Sequence, residues 1–405
     1  MKYLFQRAVM KQSLFLTAVL LMPGVGCAMT FEELSERAYE YSLQKSENDA
    51  KRQSLLYEKE AAAAYEPAVV EGTTRRIRAD EPVNDGTEYG LMVGFTAKNP
   101  WMNEARNMAY DAAVKTVSGS AALDRSMLKV ELKRDYLLNV LAKETAEIYR
   151  NKMETAANAS AGAAKKESAG RLSKMERVRY ETEANLAQKE YAASQVAYQR
   201  LQGRLRDRTL VNGEIVVDDL GFRYLKTGNT DDYLLRSPLM ALYDARAEEL
   251  SRQIETLRHS AIETVTVGIG TTQEVTQNSV DLKVSVPILF SNRNEKKIAA
   301  LMTQRSAIVH QKALVKEKLE ATVRHSFDRL GSIETMIGNA EKSERDYEQL
   351  YRMAEKGFEG GIVGLFEYLD TKNRFYQAKI DTIALKQEYV EEAAQMEEKL
   401  GGTWE

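Results

Sequence analysis

The stretch Phe358-Glu-Gly-Gly-Ile-Val-Gly-Leu-Phe-Glu-Tyr-Leu-Asp370 interrupts a pattern that is otherwise helical for about a hundred residues. From Asn292 to Lys356 there is no proline and glycine is rare (Gly331 and Gly338), and Thr371 to Lys399 contains neither residue type. Gly357, Gly360, Gly361 and Gly364 therefore mark the place where one very long helix turns back on itself, since glycine supplies the left-handed conformation that helix C-termini use. Just past the turn Glu367 and Asp370 lie three positions apart, which puts both carboxylates on one face of the first turns of the returning helix.

Working outward, the same punctuation recurs earlier. At an offset of 191 positions Gly170 meets Gly361 and Glu176 meets Glu367, and in the same register Val93 meets Val284, Asn103-Glu104 meets Asn294-Glu295, and Tyr198 meets Tyr389. Isolated identities between helical segments carry little weight, but a single register through both helices and hairpins argues for two copies of one structural unit.

Each copy has the same order of parts. A helix opens it, about Phe31 to Tyr65 in the first and about Pro238 to Ala261 in the second. The period then changes from helical to alternating. Val265, Val267 and Ile269 alternate with Thr264, Thr266 and Gly268; after a polar turn, Val280, Leu282, Val284 and Val286 alternate with Ser279, Asp281, Lys283 and Ser285. This is a two-stranded unit with one apolar and one polar face. In the first copy Tyr89, Leu91, Val93 and Phe95 give the second strand, while the first, near Thr73 to Ala79, is weak, with Arg75, Arg76 and Arg78 around Ile77. A very long helix follows each hairpin, about Pro100 to Ala169 and about Asn292 to Lys356, and a shorter one returns, Leu172 to Leu201 and Leu365 to Leu400. A helix of about 65 to 70 residues spans on the order of 100 Å, too long for a globular domain, so it packs in a coiled coil or helical barrel. The expected organisation is a signal segment at 1–28; a first unit at 29–205, with strands about 70–97 and a helical hairpin about 100–205; a girdle connector at 206–236; and a second unit at 237–405, with strands about 264–289 and a hairpin about 291–400.

Composition agrees with long solvated helices. Of 405 residues 29% are charged, 8% are aromatic and only 6 are proline. The 57 basic residues are balanced by 60 acidic ones, which argues against nucleic-acid binding. At the N-terminus Lys2, Arg7 and Lys11 precede the apolar run Leu14 to Met22, too short to span a bilayer and suited to an export signal cleaved after Ala28; lipidation of Cys27 is the competing expectation. The histidines His259, His310 and His325 lack ligand spacing, and the methionines form no compact cluster in sequence, so no metal site is expected. No cofactor motif and no nucleophile–base pairing is present, so the chain is not expected to be an enzyme.

The layout resembles the TolC-like outer-membrane efflux protein family. Gly364-Leu-Phe-Glu-Tyr-Leu-Asp-Thr371 is similar to that family's turn motif, and Ser237-Pro-Leu239 to the signature opening a repeat. Leu400-Gly-Gly-Thr-Trp404 is similar to the family's ending, and Val284-Ser-Val-Pro-Ile-Leu-Phe290 to its strand-to-helix exit. The chain departs from the pattern in being short, in its basic first strand, and in carrying Phe358 where a tyrosine is often found.

The resemblance implies a mainly α chain with a small β part, and an assembly to match. As a homotrimer its four strands per protomer would close a twelve-stranded outer-membrane barrel standing on a long periplasmic helical barrel. Leu91, Val93, Phe95, Val265, Val267, Ile269, Leu282, Val284 and Val286 would then face outer-membrane lipid. Gly170, Gly360, Gly361 and Gly364 would form the periplasmic tip that meets an adaptor protein and an inner-membrane pump. Glu367 and Asp370 would ring the entrance as a gate, and Glu176 would tie neighbouring tips. The implied role is passive exit duct of an efflux or secretion system; the alternative is a periplasmic coiled-coil structural or adaptor protein without its own pore.

Overall fold

The computed structural model describes residues 28–77, 86–260, 262, 264–274, 277–286 and 292–404. The signal segment with Cys27, Arg78 and Ala79 at the end of the weak strand, and the exit Pro287–Phe290 lie outside these residues. The chain begins at β1 (Ala28–Met29) and continues through α1 (Phe31–Glu40), α2 (Leu43–Ala63), β2 (Val69–Ile77), β3 (Gly86–Lys98), α3 (Pro100–Ser168) and α4 (Lys174–Thr209). It then forms β4 (Val216–Val217), α5 (Thr230–Arg236), α6 (Pro238–Arg258), β5 (Thr264–Gln273), β6 (Asn278–Ser285), α7 (Arg293–Glu359) and α8 (Leu365–Leu400).

The opening helix expected over Phe31 to Tyr65 is broken in two. Ser42 is the cause: its hydroxyl accepts from Lys45 N, capping α2, and donates to Tyr39 O at 2.7 Å, closing α1. The first strand begins at Val69, earlier than the arginine-rich stretch suggested, and the returning helix α4 runs on to Thr209. Both very long helices are continuous, at 69 and 67 residues. Asn99 caps α3 through Trp101 N, and Pro100, lacking an N–H, sits where none is needed.

The helices form two antiparallel hairpins, α3–α4 and α7–α8, joined because α3 also packs on α8; α6 bridges α3 and α7 nearer the sheet, and α2 lies along α3. Across the lower half the order is therefore α4-α3-α8-α7, and across the upper half α2-α3-α6-α7. The sheet above them has the order β2-β3-β5-β6, antiparallel throughout. Large apolar clusters gather at the girdle, about halfway along α3. There Phe31, Leu34, Leu132, Tyr136, Leu205 and Val217 pack together, and Tyr136 OH accepts from Val217 N at 3.0 Å to hold β4 beside β1. A second cluster forms around Trp404 with Leu234, Met240, Leu319 and Leu400.

Candidate functional site: the helical tip and the sheet

The two tip turns share one backbone. Gly170 and Gly361 adopt φ of 69° and 72°. Arg171 N donates to Lys166 O and Ile362 N to Gly357 O, each at 2.8 Å. This is the Schellman arrangement, which satisfies carbonyls that a helix end leaves unpaired. The corresponding atoms lie 191 positions apart, as do the helix ends Ser168 and Glu359, Lys174 and Leu365, and Thr209 and Leu400. Gly360 ends α7 in a right-handed conformation, and Gly364 is the N-cap of α8.

The side chains beyond the turns differ. Ser173 and Glu176 form a capping box: Ser173 Oγ accepts from Glu176 N at 3.2 Å, and Glu176 Oε2 accepts from Ser173 N at 3.0 Å and Ser173 Oγ at 2.7 Å. These hydrogen bonds hold the Glu176 carboxyl below its usual range. Glu176 is thus occupied within its own helix, which offers no support for the expected tie between tips. At the matching place Gly364 has no side chain, and Glu367 is exposed and makes no ion pair among the described residues. Asp370 is also exposed but is engaged by Arg374 Nε at 2.8 Å, one turn further on. The acidic pair therefore carries its own partial counter-charge, which the spacing of Glu367 and Asp370 did not reveal although Arg374 stands at the i+4 position. Ser173→Ala should cost about 1 kcal/mol of α4 end stability. Faster amide exchange at Met175 and Glu176, with Ile362 unchanged, would register that loss.

Phe358 lacks the hydroxyl but not a partner. Its ring stacks on Tyr368 at 4.8 Å, and Tyr351 stacks on Phe375 at 5.3 Å. Lys166 of α3 reaches over the Phe358 ring at 5.8 Å. The aromatic column ties α7 to α8 next to the turn.

At the other end of the molecule the sheet has two distinct faces. Val70, Val93, Ile269 and Leu282 stand in one row of paired residues, and Phe95, Val267 and Val284 in another. Leu91 shares this face and Val265 lies beside Ala97, while Val286 falls one residue past β6. Leu91, Phe95, Val267, Ile269, Leu282, Val284 and Val286 are exposed, whereas Val93 and Val265 are half-buried. Val70 and Val280 (76% exposed) belong to the same face. Val70 falls before the weak strand as the sequence suggested it, so alternation could not place it. The opposite face is polar: Thr96 and Thr266 hydroxyls meet at 3.1 Å and Thr272 donates to Asp281 at 2.5 Å. Glycine lines its centre, where a Cβ on Gly270 would come within 2.6 Å of the Leu91 carbonyl. Over this bare centre Lys283 of β6 reaches Glu71 of β2 at 3.4 Å, so the sheet curls with its polar face inside. Arg75 shares the polar face and Arg76 the apolar one, near the far end of β2.

Among the described residues no helix is long and apolar enough to cross a membrane, and no group of acidic, histidine or cysteine side chains could hold a metal ion. Charges are buried elsewhere. In the girdle Asp135 is enclosed among Arg134, Arg204 and Arg208, and Glu397 is pushed up by burial, against Lys133 at 2.7 Å; Lys372 lies between the helical hairpins.

Comparison with known proteins agrees with this geometry. Residues 241–402 match the outer membrane efflux protein family. No curated protein sequence matches the chain. Among solved structures the chain is similar to CusC, described for its transmembrane channel formation, with 15% identity, 95% of this chain and 96% of that one covered, and a TM-score of 0.72. It is similar to the outer membrane protein VceC of Vibrio cholerae, with 14% identity, coverage of 93% and 97%, and a TM-score of 0.68. It is also similar to the Campylobacter jejuni outer membrane channel CmeC, with 13% identity, coverage of 96% and 91%, and a TM-score of 0.69. The family and these structures are channels, not enzymes. Residues 241–402 thus match the outer membrane efflux protein family, and over nearly its whole length the chain has the fold of these solved outer-membrane channels.

Proposed function

We propose that the protein is the outer-membrane exit duct of a tripartite efflux or secretion system, working as a homotrimer with a periplasmic adaptor and an inner-membrane pump. One observation carries this reading. On the long helices, exposed large apolar side chains are confined almost entirely to the two lateral edges of the protomer. Leu43 and Tyr57 of α2 and Met175, Val178, Leu186 and Val196 of α4 lie on one edge. Met302, Val309, Leu314, Met336, Leu350 and Met353 of α7 lie on the other. The inner helices α3 and α8 expose only Trp101 and Phe366, each close to an end, and α6 exposes none. The unpaired sheet edges β2 and β6 fall on the same two sides. Two different edges, each apolar and each continued by an open strand, favour head-to-tail association of identical chains into a ring. Three protomers would supply twelve strands, close the barrel with its apolar face to lipid, and leave the curled polar face lining the passage.

In that ring Glu367 and Asp370 would recur three times near the periplasmic entrance and favour cations. Arg374 would offset part of the effect. Purified protein in a planar bilayer should conduct and prefer cations, and Glu367→Gln with Asp370→Asn should lower that preference. An effect of about 1 kcal/mol on a monovalent ion is roughly fivefold in selectivity. Arg374→Gln should move it the other way. Unaltered selectivity and trivalent-cation block in the double variant would remove these residues from the entrance. The reading of a coiled coil without its own pore predicts extraction of the protein without detergent and no conductance at all.

A further inference from the structure

The seam between the two helical hairpins buries a cation that its surroundings leave unpaired. Lys372, in the second turn of α8, is fully buried, and its Nζ has no hydrogen-bond partner among the described residues. Charged and titratable groups face it from every neighbouring helix. From α3 comes Lys152, already bound to Glu190 of α4 at 2.7 Å. From α4 comes Glu183, which makes no ion pair among the described residues, together with buried Tyr180 beside Tyr368. From α7 comes Glu355, whose carboxylate accepts from Tyr351 OH at 3.0 Å. On α8 itself Tyr368 and Tyr376 flank Lys372 one turn to either side, and Tyr376 OH lies 3.5 Å from Thr155 Oγ1 of α3. Burial pushes the Lys372 ammonium down to about 8, Glu183 and Glu355 pull it back up, and Lys152 adds to the depression.

A buried ammonium without a partner is costly, and an apolar side chain of similar length would fill the space without that cost. The penalty is relieved as soon as a carboxylate reaches the nitrogen; of the two that face it, neither of them ion-paired among the described residues, Glu355 already accepts from Tyr351 OH, whereas Glu183 lies on the opposite hairpin. We propose that the seam is a two-state element switched by Lys372: unpaired in the packed arrangement described here, and ion-paired with Glu183 in a second arrangement in which the α7–α8 tip is displaced relative to the α3–α4 tip. This deepens the channel reading, since the displaced tip is its entrance, but the switch itself depends only on the fold.

The sign of the pH effect follows from linkage. The packed arrangement holds Lys372 at the lower affinity for its proton, so protonation favours the paired arrangement and deprotonation the packed one. The packed population should rise as pH is raised from about 8 towards the ordinary lysine value, by up to tenfold per pH unit.

Spin labels on Arg171→Cys and Ile362→Cys, with Cys27 replaced by serine, would report the distance between tips of the full-length protein in detergent. Two distance populations are expected, with the packed one gaining between pH 7 and pH 10. Lys372→Met should show the packed distance alone at every pH and melt no lower than the parent. Glu183→Gln, at a partly exposed position where folding is not at stake, should deplete the second population. A single distance at all pH values in the parent, or a pH response retained in Lys372→Met or Glu183→Gln, overturns the switch. Conductance plays no part in this measurement, so a protein that switches without conducting would refute the channel reading and leave the switch standing.

Discussion

Replacing Trp404 with alanine is expected to cost about 3–5 kcal/mol, more than any other single truncation at the girdle. The indole is 4% exposed at the very end of the described chain, where an aromatic residue could as easily have been left in solvent. It stacks on Tyr233 at 4.9 Å, meets the Phe327 ring edge-on at 5.2 Å, and donates through Nε1 to Lys226 O at 3.0 Å. Its backbone N donates to Glu397 at 2.7 Å, the same carboxylate that Lys133 of α3 holds. The ring thus joins the end of α8 to the connector, to α7 and, through Glu397, to α3. Removing it opens a cavity under α5 and leaves the Lys226 carbonyl without its donor. A midpoint lowered by several degrees in a circular-dichroism melt of detergent-solubilised protein is the expected readout. Trp404→Phe, which keeps an aromatic ring against Tyr233 but loses the N–H and part of the ring volume, should recover part of the loss. A variant Trp404→Ala that melts with the parent would mean that the girdle is held by its aliphatic contacts alone.

Leu282→Arg should prevent stable membrane assembly, at a cost of about 2–4 kcal/mol if the position lies at mid-depth. Leu282 is 72% exposed on the convex, apolar face, in the same row as Val70, Val93 and Ile269. Ser285, three positions along the same strand, points to the concave polar face, so Ser285→Arg should be tolerated. The fraction of protein retained in outer membranes after urea washing, and its heat-modifiable migration in unboiled gels, separate the two variants. Equal retention would refute the assigned faces.

How much of this was legible in the residues depends on how local the cause was. The long helices, their turns at Gly170 and Gly361 and the strands β3, β5 and β6 follow from glycine and proline spacing and from period-2 alternation, and the structure has them. The kink at Ser42 was missed because serine in a polar helical stretch is unremarkable until its hydroxyl is seen capping α2. Strand β2 was placed late because Arg75 and Arg76 broke the alternation; its pairing with β3 supplies what its own side chains do not. At the tip, Glu367 and Asp370 were visible as a pair, but the role of Glu176 depends on a reciprocal cap with Ser173 that a resemblance by position to Glu367 concealed. Lys372 could not have been singled out at all. In sequence it is one lysine among many on a solvated helix, and only the packing of α3 and α4 on α8 encloses it.

The matched turns at Gly170 and Gly361 show how little it takes to change what a shared backbone presents to the outside. Glu176 and Glu367 occupy the same helical position, yet one is consumed by its own chain and the other is left available. The difference is a single side chain, serine at 173 against glycine at 364, and it leaves the course of the main chain untouched. A protein that contains the same corner twice can therefore assign one copy to mechanical upkeep and the other to encounters with the medium, and can exchange those duties by altering one residue.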